Sequence, residues 1–327
     1  KPGTGRKVPR TKAMKQVDLF SAPKKEHPYA DLGNKLWSLA EEGVYFGSSS
    51  WKYESWQGSI YVEEYRSKKD FEQNCLKEYS EIFPTVGGDF SFYNWPSEDM
   101  LGRAKTLTRE GFKIGLKCTE LITLKRFPSI PRWRDKAGKE NPDFLNADLF
   151  KDEFLKRVEV LGDKLGPVIF EFTAFPKGSF SDWTEFAIRL ETFFEKLPRS
   201  YLYSVEIRNR DFLHRDFWGA LKAMGAAPVL NSWTRMPPLD EQWKLFPEHD
   251  FDYAVCRPVM KPGRTRDEAL HLFEPYDRLK EVAPAARRAF LQMTKWAREK
   301  KRPLFIFVNN HLEGCAYQTI AEVTSVL

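Results

Sequence analysis

Residues 304–310 read LFIFVNN, five apolar residues that stop at two asparagines. Six further apolar runs stop in the same way at polar or charged residues, namely 44–46, 113–116, 168–170, 203–205, 228–230 and 253–256. Continuous apolar runs of this length are typical of strands buried on both faces, as in a parallel sheet covered by helices. Active sites of such folds lie at the carboxyl ends of the strands. The polar residues that end the runs therefore predict the face that carries the site.

Helical patterns alternate with these strands. An eighth strand is predicted at 85–90, and helices at 69–83, 97–108, 146–161, 181–197, 215–224, 284–300 and 316–326. This order predicts an α/β fold, a TIM-type (β/α)8 barrel with irregular parts, as a single domain over residues 36–327. A doubly wound open sheet is the alternative. The first strand, however, is followed by GSSSW at 47–51 rather than G-x-G-x-x-G, so dinucleotide binding is not expected.

Positive charge is concentrated at the start of the chain. Of 52 basic residues against 46 acidic ones, six precede the first acid, Asp18, and the rest of the chain is formally neutral. Residues 1–35 contain few apolar residues and are predicted to be a disordered basic tail. The four cysteines are widely spaced, which is typical of reduced thiols in a cytoplasmic protein. The sequence shows neither a signal peptide nor an apolar stretch of roughly 20 residues. It therefore predicts a cytoplasmic protein without a membrane segment.

The basic tail contains a second pattern, QVDLF at residues 16–20. It resembles the short peptide by which bacterial replication and repair proteins bind the DNA polymerase sliding clamp. In such a peptide Gln16 makes a polar contact, and Leu19 and Phe20 fill an apolar pocket. The tail therefore predicts two partners, the sliding clamp and DNA. The alternative is that Leu19 and Phe20 pack back onto the barrel.

Candidate catalytic residues come from the strand ends. Glu171 and Glu206 follow neighbouring predicted strands, and two nearby carboxylates push their pKa values apart, which produces an acid and a base or nucleophile. Lys117 adds a positive charge from a third strand. The alternative is that Glu206 orients Arg208 or Lys117 in a buried ion pair.

Substrate binding is expected to use the remaining polar and aromatic residues of the same face. Arginine offers a planar fork for phosphate or carboxylate, and aromatic rings stack on sugars or unpaired bases. The five histidines have no metal-ligand spacing, so no metal site and no cofactor is predicted. The residues assigned to an anionic or sugar-like substrate are Ser49, Trp51, Tyr53, Trp56, Asp89, Tyr93, Arg208, Asn209, Asn231, Arg257, Asn309 and Asn310.

Several blocks of the sequence, in order, resemble the YecE-like family, also called domain of unknown function 72. The resemblance covers about residues 44–326 and implies an α/β barrel, but it implies no particular reaction. Its most specific pieces are GSSSWKY at 47–53, LGDKLGP at 161–167, VEIRN at 205–209, YDR at 276–278 and FVNNHLEG at 307–314.

The chain departs from the family pattern at three places. Where the family tends to show V-E-x-N-S-x-F-Y, residues 86–93 read VGGDFSFY, so Gly87 replaces an acid and Asp89 replaces an amide. Glu171 stands where a glutamine is common, and Leu124 lies near the place of a histidine. If the family's activity uses those groups, this member is altered or inactive.

Three functional hypotheses follow from the sequence. The first is an enzyme, a hydrolase or phosphodiesterase, that acts on a phosphate-bearing substrate such as nucleic acid or a nucleotide and is linked to DNA repair or replication. The second is a carbohydrate hydrolase or isomerase, which requires carboxylates about 5–10 Å apart across an aromatic-lined groove. The third is a non-catalytic binding or adaptor protein, which the missing acid at Gly87 favours.

Overall fold

The structure, a computed structural model that describes residues 27–327, is a closed barrel of eight parallel strands in sequential order. The final strand pairs with the first, which closes the barrel. The TIM-type barrel predicted from the sequence is confirmed, including the strand near residue 85. The strands are β1 Val44–Ser48, β2 Thr85–Gly88, β3 Lys113–Lys117, β4 Leu165–Glu171, β5 Tyr203–Glu206, β6 Ala226–Ser232, β7 Ala254–Pro258 and β8 Leu304–Val308.

Helices cover the outside of the barrel and the loops at its carboxyl end. They are α1 Ala30–Glu41, α2 Lys68–Asn74, α3 Leu76–Ile82, α4 Phe90–Tyr93, α5 Glu98–Leu107, α6 Glu120–Thr123, α7 Ala147–Leu149, α8 Lys156–Val158, α9 Trp183–Phe194, α10 Arg215–Ala223, α11 Leu239–Trp243, α12 Arg266–Phe273, α13 Pro284–Lys300, α14 Asn310–Glu313 and α15 Ala316–Thr324. A π-helical segment, Phe150–Leu155, joins α7 to α8. None of these helices is long and apolar enough to cross a membrane.

The predicted boundary between tail and barrel falls inside a helix. Helix α1 spans Ala30–Glu41, so residues 30–35, which the sequence assigned to the tail, belong to ordered structure. The reason is a buried face, since Leu36 and Leu39 pack into the hydrophobic core and Gly33 approaches Ile82 of α3. The weak apolar content of residues 27–35 hid this helix.

Glycine at two strand positions allows a neighbouring strand or a core side chain to approach the backbone closely. A Cβ atom at Gly47 would lie 1.9 Å from the carbonyl oxygen of Thr85, its partner on β2. A Cβ atom at Gly115 would lie 2.5 Å from the ring of Phe307, which fills the inside of the barrel. The close approach of neighbouring atoms therefore requires glycine at both positions.

Two long segments between strands contain short helical turns. Residues 123–143 include the 3-10 turn Pro131–Lys136, and residues 232–252 include α11 and the turn Phe246–His249. Backbone hydrogen bonds from Phe127 to Lys139 and from Asn141 to Lys125 fold the first segment into a compact structure.

Candidate functional site

Six charged residues from five strands or their following loops meet at the carboxyl end of the barrel. Lys117, Glu171 and Glu206 are the last residues of β3, β4 and β5, and Arg257 lies near the end of β7. Glu171 and Glu206 are register partners on neighbouring strands, so their side chains leave the sheet at the same level. The six-charge network consists of Asp89, Lys117, Glu171, Glu206, Arg208 and Arg257.

Glu171 is at the centre of this network. Its carboxylate lies 2.7 Å from Lys117 Nζ, 2.8 Å from Arg208 Nη2 and 2.9 Å from Arg257 Nη1. Burial alone would raise the pKa of Glu171, but the charges of Arg208, Lys117 and Arg257 outweigh it and hold that pKa well below its usual range. An ionised carboxylate with three cationic partners is a poor proton donor or acceptor near neutral pH, so the geometry does not favour an acid–base role for Glu171.

Glu206 is fully buried between two guanidinium groups. Arg208 Nη2 lies 3.2 Å from its Oε1, and Arg257 Nη1 donates to its Oε2. Because this same nitrogen also bonds Glu171, the two carboxylates are bridged and leave no space between them for a sugar ring. The contacts match the alternative stated above, in which Glu206 orients arginine in a buried ion pair.

Asp89 is the one member of the network that faces solvent substantially, with 43% of its side chain exposed. Its Oδ1 lies 3.1 Å from Lys117 Nζ and 3.3 Å from Arg257 Nη2. Burial disfavours the charged form of Arg257, but Glu206, Asp89 and Glu171 raise its pKa above the usual value. Two buried cations therefore converge on one oxygen of a carboxylate side chain that is partly exposed.

Aromatic rings line the charged network on two sides. Lys117 Nζ lies 4.8 Å from the centre of the Phe92 ring, and the guanidinium of Arg208 lies 3.9 Å from the Trp233 ring. Burial, followed by the charge of Asp89, raises the pKa of Tyr53. These rings orient the two cations through cation–π contact.

The predicted stacking residues differ in accessibility. Tyr93 is exposed, but Trp51 is buried against Phe90, and Trp56 is fully buried and donates its Nε1 hydrogen bond to the carbonyl of Tyr276. A ring without exposed area cannot stack on a substrate, so Trp56 serves the core.

The predicted polar residues outside the network bond to the protein itself. Ser49 Oγ donates to Phe307, and Asn209 makes two hydrogen bonds to the backbone of Phe175. Asn231 is buried and donates to the carbonyl of Ile207. The side chains of Asn309 and Asn310 accept hydrogen bonds from the backbone of His311 and Ala316, respectively, and so shape the last loop. These five residues position strands and loops.

Glu120, at the start of α6, is a site residue that the sequence reasoning did not single out. It is buried, and Arg132 Nη2 lies 2.7 Å and 2.8 Å from its two carboxylate oxygens. Burial raises the pKa of Glu120, and Arg132 opposes that shift only in part. Its position three residues after Lys117, just past a strand, is a signal that the sequence already contained.

The departures from the resembled family pattern have a structural counterpart at Gly87. A Cβ atom there would lie 3.2 Å from the ring of Phe307, so this ring occupies the space that a longer side chain would need. Leu124 is buried in the loop after β3. Among residues 27–327, no group of three or more histidine, cysteine or acidic residues could hold a metal ion.

Comparison with known proteins agrees with the barrel and confirms the family that the sequence resembles. Residues 45–327 match the family described as protein of unknown function DUF72. A DUF72 protein from Enterococcus faecalis V583 is 15% identical, with a TM-score of 0.59 over 87% of this chain and 95% of that one. One from Thermotoga maritima MSB8 is 19% identical, with a TM-score of 0.57 over 86% and 98%. At these identities the likeness shows the fold alone. No curated protein matches the chain.

Proposed function

The chain belongs to the DUF72 family of proteins of unknown function, and we propose that it is an enzyme for a phosphate-bearing substrate. In this proposal a phosphate group binds to Lys117 and Arg257 in place of the Asp89 carboxylate. The observation that carries it is the convergence of these two cations on one oxygen of the partly exposed Asp89 side chain.

The charges of the network support an anionic ligand. Glu171 contacts both Lys117 and Arg257, and Glu206 also contacts Arg257, so the positions of the two cations do not depend on Asp89. A carboxylate oxygen and a phosphate oxygen accept the same charge-assisted hydrogen bonds. Asp89 thus occupies the position of a substrate oxygen and leaves when the substrate arrives.

The chemistry follows from this exchange. Lys117 and Arg257 stabilise negative charge that develops on the phosphoryl oxygens during substitution at phosphorus. The displaced Asp89 carboxylate is free to accept a proton from the attacking water, whereas Glu171 and Glu206 keep the cations in place. The proposed reaction is hydrolysis of a phosphate ester: the water oxygen bonds to phosphorus, the bond from phosphorus to the ester oxygen breaks, and the proton taken up by Asp89 passes to the departing alcohol oxygen.

Binding of inorganic phosphate and of a nucleoside monophosphate, measured by titration calorimetry, tests the site. We expect Asp89→Asn to bind phosphate about tenfold more tightly, since removal of a competing, half-exposed charge changes the binding free energy by roughly 1–2 kcal/mol. Asp148→Asn, a change at an exposed surface pair, is the matched control and should bind like the wild type. If neither the wild type nor Asp89→Asn binds phosphate, the anion site is wrong.

Turnover assays separate the reaction classes. Phosphodiesters, oligonucleotides and nucleotides are the expected substrates, and a panel of glycosides represents the carbohydrate alternative, which the bridged carboxylates do not favour. Glycoside turnover without phosphate-ester turnover would overturn the proposal. Phosphate binding without any turnover would identify a binding protein instead of an enzyme.

The link to DNA depends on the predicted clamp peptide. Gln16, Leu19 and Phe20 lie outside the described residues, so their role stays a prediction. If it holds, the peptide would raise the local concentration of the barrel at DNA.

A further inference from the structure

A surface of aromatic and cationic side chains lies next to the six-charge network and is formed by Tyr93 at the end of α4 and by the loop after β3. The guanidinium of Arg132 lies 4.7 Å from the ring centre of Tyr93 and 5.1 Å from that of Trp133. The rings of Trp133 and Phe127 are 4.6 Å apart, and Lys136 Nζ lies 5.6 Å from the Phe127 ring. We call these five residues the loop platform: Tyr93, Phe127, Arg132, Trp133 and Lys136.

Part of the platform is open to solvent. The residue Tyr93 is 55% exposed, and the side chain of Arg132 is 41% exposed. Arg132 Nη2 bonds the buried Glu120, which holds the guanidinium plane in place. In the part of the chain that the structure describes, Arg132 Nε and Nη1 have no protein partner, so two N–H nitrogens remain for a ligand oxygen.

Positive charge surrounds the platform. Residues 124–140 contain six basic side chains and only two acidic ones, Asp135 and Glu140, of which Glu140 pairs with Arg126. A groove of about 550 Å³ lies between this loop and residues 173–179, and its charged lining residues are Lys125, Arg126, Lys177 and Glu140. Residues 16–327 as a whole are formally neutral, so this loop is more positive than the average of the chain.

Phe92 connects the loop platform to the proposed phosphate site. Tyr93 contacts Phe92, with ring centres 5.1 Å apart, and Phe92 contacts Lys117. A chain with a planar group and a phosphate at each repeat would place a base on Tyr93 and a phosphate near Lys117. Bases expose their faces only when they are unpaired, so a single strand fits this surface and a duplex does not.

We propose that the loop platform binds single-stranded nucleic acid, with bases stacked on Tyr93 and backbone phosphates on Arg132 and the basic groove. This inference rests on the proposed phosphate site, because it names the class of substrate that would enter it. The platform supplies affinity, and the six-charge network receives one phosphate of the strand.

Fluorescence anisotropy with the full chain tests the platform. The probes are a labelled single-stranded DNA of about 12 nucleotides, within the range of known single-strand sites, and the same sequence as a duplex. We expect tighter binding of the single strand, and an approximately tenfold loss of that affinity in Tyr93→Ala, since stacking on an aromatic ring contributes that much per base. Tyr93→Ala changes no charge, so general electrostatic attraction, including that of the tail, is the same in both proteins.

Two further variants serve as controls. Lys136→Gln removes a platform charge and should flatten the dependence of log affinity on log salt by about 0.7. Lys295→Gln removes an exposed charge from α13 and should leave the strand affinity unchanged.

The outcomes distinguish the two proposals. The proposal that the loop platform binds single strands is overturned if the protein binds strand and duplex with equal affinity. It is also overturned if Tyr93→Ala binds the single strand as tightly as the wild type does. Tyr93-dependent binding of a polyglutamate peptide in the absence of strand binding overturns it as well, since it would identify an acidic protein partner. If phosphate still binds more tightly to Asp89→Asn in those cases, the phosphate site stands and only the nucleic-acid inference falls.

Discussion

Arg257 is the residue whose removal is expected to affect the barrel end most. It is buried, and its guanidinium contacts Glu171, Glu206 and Asp89. Arg257→Met keeps much of the side-chain volume but leaves three carboxylates with two cations. Removing one partner of a buried ion pair costs about 3–5 kcal/mol, so we expect the free energy of unfolding at pH 7 to fall by that amount.

The stability difference between the wild type and Arg257→Met is also expected to depend on pH. The pKa of Glu171 is lower in the folded protein than its usual value of 4.5, so its stabilising contribution is present above about pH 4.5 and is lost as pH falls below it. Arg257→Met removes one of the charges that lower the pKa of Glu171. The variant therefore loses less stability than the wild type when the solution becomes acidic. The difference between wild type and variant should be largest near pH 7 and should shrink below about pH 4.5.

Urea unfolding of both proteins at pH 7 and pH 4 measures the effect. Arg298→Met is the matched control, because Arg298 pairs with Glu42 on the surface and both side chains are more than 40% exposed. Such a pair contributes less than about 1 kcal/mol. If Arg257→Met loses no more stability than Arg298→Met at pH 7, or if the loss is larger in acid, the network does not stabilise the barrel as argued.

Three further results are expected. The full chain should bind a bacterial sliding clamp in a surface plasmon resonance assay, and a Leu19→Ala, Phe20→Ala double variant should not; equal binding by both would refute the peptide assignment. Gly47→Ala should lower the free energy of unfolding by about 1–3 kcal/mol or more, since its Cβ would overlap the Thr85 carbonyl, and an unchanged urea midpoint would contradict this. Glu206→Gln should lower the free energy of unfolding by about 3 kcal/mol and should also lower any turnover. If turnover is lost while the free energy of unfolding is unchanged, Glu206 acts directly in catalysis.

The sequence by itself determined the class of the fold and the end of the barrel where charges collect. Apolar runs of strand length, each followed by a polar residue, require only local periodicity and the rule that parallel strands end on one face. That reasoning located Lys117, Glu171, Glu206 and Arg257 together without any knowledge of their partners. It also missed α1, whose amphipathic face is short and whose neighbours are polar.

Tertiary structure decided what those charges do. Arg257 is 86 residues from Glu171 and 168 from Asp89 along the chain, and only closure of the barrel brings them into contact. The charges of Arg208, Lys117 and Arg257 then keep Glu171 ionised, while burial determines that Trp56 belongs to the core and that Asp89 alone in the network is broadly open to solvent. The physical reason is that pKa values, pairing and access depend on distances in space and on desolvation, which residue order does not specify.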